Sequence, residues 1–238
     1  SRYEFADFQR GRSMLVLAAL FAAAVLVLSR WRGLAALAAL GASILVLTVF
    51  LLPALLGGGP PLLGAVVGAS AIMIMTLYLS HGPSVRTTVA LVGTLLSLAL
   101  IAVLGAIFTQ VGRFTGLADE NASFLGAVAS DLDFRGLLLA GLVIGALGVL
   151  DDVTITQTAA VWAVTAADPT APRRRVFAAG MRVGRDHVSS TVNTLVLAYA
   201  GSALPLLLLF QVSSSRLGDV LTSEAVATEI MRAPVSGL

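Results

Sequence analysis

The stretch Gly136-Leu-Leu-Leu-Ala-Gly141-Leu-Val-Ile-Gly145-Ala-Leu-Gly148-Val-Leu-Asp151-Asp152-Val-Thr154-Ile-Thr156-Gln157-Thr158 decides how this chain folds. It is long and apolar enough to cross a bilayer, which takes about 20 residues. It nevertheless carries two adjacent carboxylates. At about 100° per residue, Gly141, Gly145, Gly148, Asp152, Thr156 and Ala159 fall on one narrow stripe. Asp151 falls about 80° to one side, next to Thr158. Small residues let another helix approach closely. The stripe therefore predicts a helix contact in which Asp152 is shielded from lipid.

The rest of the chain is of the same kind. Of its 238 residues, 58% are hydrophobic and 12% charged, and mean hydropathy is +0.95. Soluble domains carry about 25% charged residues, and none of this size could hide so much apolar surface. The fold class is all-α: a polytopic helical membrane protein in contact with the lipid bilayer. The net charge of +2 gives no reason to expect nucleic acid as a partner. Cysteine is absent, which excludes disulfides and thiolate metal sites. With only His81 and His187, a multi-histidine metal centre is not expected.

Six spans are predicted, over residues 13–29, 34–52, 61–79, 88–109, 136–165 and 187–211. Pro53, Pro60 and Pro61 bracket the Gly57-Gly58-Gly59 turn and end helices there. Arginine placement sets the orientation. With the N-terminus outside, the cytoplasmic loops are 30–33, 80–87 and 166–186, and they hold eight Arg against two Asp. The external segments hold seven Arg against nine acids. The tail is too polar to span, and Thr222 to Met231 predicts a short amphipathic helix lying outside.

A single Asp at mid-bilayer costs about 2.5 to 3.5 kcal/mol even on the lenient insertion scale. Two side by side also repel, so one of them is pushed toward its protonated form. That is the property a proton relay requires. The competing reading is a structural ion pair with Arg182 or Arg185. The sixth span opens Arg182-Val-Gly184-Arg185-Asp186-His187-Val-Ser189-Ser190-Thr191-Val-Asn193-Thr194. Asn193 and Ser189 are expected to hydrogen-bond across to Asp152, or to act as ordinary interhelical glue. The imidazole of His187, at the interface, suits proton uptake or plain surface exposure. His81 lies in the turn Ser80-His81-Gly82-Pro83. Arg173-Arg174-Arg175 is expected to rest on anionic lipid heads. Gly64 and Gly68 read as helix packing. No GxSxG, Walker A or HExxH pattern occurs, and Asp151-Asp152 lacks the DDxxD continuation. No enzyme, cofactor or metal is implied.

Three segments carry a resemblance. Gly-Val-Leu-Asp-Asp-Val-Thr-Ile-Thr-Gln (148–157), Met-Arg-Val-Gly-Arg-Asp-His-Val (181–188) and Val-Asn-Thr-Leu-Val-Leu-Ala-Tyr-Ala-Gly (192–201) resemble the signature segments of YibE/F-family membrane proteins. Leu-Ser-His-Gly (79–82) and Ser-Glu-Ala-Val-Ala-Thr-Glu-Ile (223–230) are also similar. The resemblance implies a permease of unstated substrate. It also implies that residues 1–238 form the transmembrane core of a longer protein, with an extracytoplasmic domain before it and a further span after it. The order of Gly-rich helix, Asp pair, basic loop and Ser/Asn/Thr helix is more loosely similar to half of an RND or SecD/SecF transporter, where an intramembrane Asp pair carries protons. The intramembrane Lys of RND relays has no counterpart here.

These readings converge on a proton-coupled transporter of a prokaryotic plasma membrane. Its proton relay would be Asp151, Asp152, Thr156, Ser189, Asn193 and His187, and its partners protons, a small substrate and a second membrane chain or copy. The alternative is a non-transporting scaffold or assembly subunit.

Overall fold

The computed structural model describes residues 11–118, 120–129, 132–212 and 217–237. Among them every regular element is helical. Helix α1 (Gly11–Leu45) bends sharply at Arg30 (φ 52°, ψ −127°) and runs through a π-helical turn, Val46–Leu51, into α2 (Leu52–Leu56). Then come α3 (Pro61–His81), α4 (Val85–Val111), α5 (Glu120–Val128), α6 (Phe134–Ala167), α7 (Arg173–Ser202), α8 (Leu204–Val212), α9 (Leu217–Thr222) and α10 (Glu224–Gly237).

Four stretches are long and apolar enough to cross a membrane: Gly11–Leu56, α3, α4 and α6. The bent pair α7–α8 makes a fifth if it is one span. Gly11–Leu56 has 46 residues, length enough for two arms of about 20. Its bend falls at the predicted 30–33 connection.

Local chemistry sets the helix ends. Pro61 opens α3, where its missing N–H costs nothing. Gly82, at φ +74°, closes it in a conformation that glycine adopts without strain. Ser84 accepts the Thr87 N–H (3.1 Å) at the start of α4, and Asp133 accepts the Gly136 N–H (2.9 Å) at the start of α6.

Helix α6 is the axis, packed by α3, α4, α7 and α10. Its core face is Leu139, Ala140, Leu142, Val143, Ala146, Leu147 and Leu150. By helical angle this face lies opposite Gly141, Gly145 and Gly148. All three glycines are exposed, with open space where a Cβ would stand. The predicted contact along the stripe is therefore not made within this chain. The close approaches use other glycines: a Cβ on Gly105 of α4 would lie 2.9 Å from Leu142 Cδ2.

Two further expectations change. The segment read as a loop, 166–186, is mostly helix. Only residues 168–172 connect α6 to α7, because Pro172 caps a helix that begins at Arg173. A hydropathy window finds spans, and so it missed this polar helical turn. The sixth span is bent by 59° at Ala203, just before Pro205, whose ring cannot continue a straight helix. The expected tail helix forms as α10 (Glu224–Gly237). Val226, Thr228 and Met231 of α10 are buried, and α10 packs on α4, α6 and α7.

Candidate functional site

Helix α6 has 34 residues, about 50 Å at about 1.5 Å per residue. That exceeds a hydrocarbon core of about 30 Å. Its C-terminal half extends beside the N-terminal half of α7 as an antiparallel arm. The clasp of this arm is Gln157. Its Nε2 donates to the Gly180 carbonyl (2.7 Å), and its side chain lies against Gly184. Gly180 and Gly184 are four apart, so both present the same bare face to α6. That spacing is a signal readable in the sequence.

This register brings His187 opposite the Asp pair. His187 Nε2 lies 3.7 Å from Asp152 Oδ2, and Thr156 Oγ1 lies 3.4 Å from Asp152 Oδ1. Asp152 itself is 74% exposed, since it continues the open glycine stripe. Asp151 is half-buried, and its Oδ1 has no hydrogen-bond partner among the described residues. His81, at the end of α3, is within electrostatic reach of Asp151. Of the chain's two histidines, it is His187 that pairs with Asp152. One turn along, the Thr94 and Thr154 hydroxyls meet at 2.8 Å and tie α4 to α6.

Asn193 and Ser189 are not part of this group. Measured from Gly180, they lie on the far side of α7, at about 180° and beyond. Both are exposed. Asn193 is also six residues past His187, about 9 Å further along the helix. Arg182 and Arg185 are exposed, and among the described residues neither forms a salt bridge with the Asp pair. Arg175 pairs with Asp168 at 3.6 Å, across the tip of the arm.

A second polar region lies at the other end of α6. Glu224, at the start of α10, accepts the Thr115 N–H (2.6 Å), the Gly116 N–H (2.7 Å) and the Thr115 hydroxyl (2.8 Å). Gly116, at φ +79°, could carry no side chain, because a Cβ would strike the Phe134 carbonyl. Arg232 Nη1 donates to Glu229 Oε1 at 3.0 Å, one turn further along α10. Hydropathy alone gave no reason to single out this i,i+3 pair.

The fold and site define an all-α polytopic membrane protein whose central helix carries a carboxylate pair faced by His187 of α7. The family model described as YibE/F-like protein matches residues 17–238, and the chain belongs to that family. No curated protein and no solved structure matches it.

Proposed function

We propose that this protein is a proton-coupled transporter or permease component of a prokaryotic plasma membrane. The observation that carries the proposal is the meeting of Asp152 of α6 with His187 of α7, beside Asp151. Imidazole exchanges protons near neutral pH, and a carboxylate does so where its surroundings favour the protonated form. Intramembrane acids are costly enough to mark function by default. Asp152 carries the proton, His187 exchanges it with the arm side, and Asp151 sets the local charge. Loss of charge at Asp152 releases its attraction to His187 and lets the arm of α6 and α7 repack, which is the two-state element a cycle needs. Arg86 at the start of α4 and the arginines of the arm support a cytoplasmic position for this end under the positive-inside rule.

The test needs no substrate. In reconstituted protein, difference infrared spectroscopy from about pH 4 to pH 9 follows the protonated-carboxyl band. We expect a band that titrates in this range and disappears in one of the variants Asp151→Asn and Asp152→Asn. Carboxylates ionised throughout would end the proposal.

One observation favours a second reading, an assembly subunit. The Gly141, Gly145 and Gly148 face is open along its length and suits a second helix from another chain or copy. Loss of a cross-linked oligomer in Gly145→Leu, with the infrared band unchanged, would support assembly as an added role.

A further inference from the structure

A cavity of about 990 Å³ opens at the Glu224 end of the bundle, between α5, the start of α6, the α7–α8 bend and α10. Its polar side holds Glu229, Arg232 and Asn121, and its apolar side Leu138, Leu206 and Leu209. Leu138 and Asp152 are 14 residues apart on α6, about 21 Å, so this cavity is separate from the Asp pair. Glu229 and Arg232 are 25% and 34% exposed at the side chain. Their ion pair uses one oxygen and one nitrogen, whereas a guanidinium commonly meets a carboxylate with two parallel bonds. Glu229 Oε2 and Arg232 Nε are buried without a hydrogen-bond partner among the described residues. Under-satisfied ion pairs are unfavourable in a low-dielectric site.

We propose that this cavity binds a zwitterion: an ammonium at the Glu229 carboxylate and a phosphate or carboxylate at the Arg232 guanidinium, with any apolar portion along the leucine wall. A change of rotamer at each side chain would present the orphaned atoms to the ligand, which would complete both halves of the pair. A lone cation or a lone anion completes only one half. The chemistry is shared by aminophospholipid headgroups and by soluble amino-acid-like solutes. The size of the cavity, in the upper range of small-molecule sites, admits either.

The experiment uses the full chain in nanodiscs. Thermal unfolding is followed with phosphoethanolamine, with ethanolamine and with inorganic phosphate. We expect stabilisation by phosphoethanolamine and little by the other two. Binding should weaken about tenfold or more in Glu229→Gln and in Arg232→Gln, as expected when half of a charge-assisted pair is lost. Arg232→Lys, which keeps the charge but not the fork, should fall between and serves if the Gln variants do not fold. Asp152→Asn should bind as wild type, so failure of the proton proposal leaves this one standing. Native mass spectrometry after reconstitution with phosphatidylethanolamine and phosphatidylglycerol separates the sources. Retained phosphatidylethanolamine identifies a lipid, and binding of the soluble probe alone identifies a solute. The proposal is overturned if neither zwitterion binds, if the single-charge probes bind equally well, or if the Gln variants bind unchanged.

Discussion

The two halves of α6 are packed by different means. The first half, up to Leu150, sets aliphatic side chains against α3 and α4, and Val143 and Ala146 are wholly buried. The second half holds α7 through one amide, two bare glycines and a loose Asp–His pair. Dense apolar packing has few alternative arrangements of similar energy. A few polar contacts can be exchanged at small cost, so movable parts belong to regions built this way. The first half is a fixed post and the second a hinged arm.

The largest expected effect comes from overfilling the post. Gly105→Leu would push into Leu142 and Leu139 and should cost about 2 to 3 kcal/mol in unfolding experiments in detergent. Little loss would mean that the first half is as adaptable as the second. Next is Gln157→Leu, which leaves the Gly180 carbonyl without its donor. A cost of about 1 kcal/mol is expected. Exchange of amide hydrogens should also speed up in residues 173–187 while α3 and α4 stay protected. Equal acceleration in both halves would erase the distinction. A double-mutant cycle on Thr94→Val and Thr154→Val should return a coupling of about 0.6 kcal/mol, the usual worth of an interhelical hydrogen bond in a membrane. The smallest effect is expected at the open stripe. Gly145→Ala meets nothing within 4 Å and should be neutral or gain about 0.5 kcal/mol from helix propensity. A clear loss there would reveal a second chain on this face.

Much of the fold was legible. The apolar runs, the proline and glycine breaks and the bend at Arg30 all followed from hydropathy and backbone chemistry. The Asp pair was legible too, because charge inside an apolar run stands out. Its partners were not. Helical angle correctly put the glycines and Asp152 on one face, but it could not say whether that face looked inward. Asn193 and Ser189 were chosen for their hydrogen-bonding groups, yet the register of α7 turns both away. His187 was within sight, and its pairing with Asp152 depends on the Gln157 clasp five residues along.

The sequence by itself determined membrane class, helix content, the YibE/F resemblance and the position of the carboxylates, because composition and periodicity are local properties. Which face of α6 is buried, which imidazole meets Asp152, and how α10 enters the bundle with Glu229 and Arg232 were decided only by tertiary structure. The reason is physical. In an apolar medium almost any face of such helices could be buried, and the choice falls to close packing between particular small residues, which no single helix encodes.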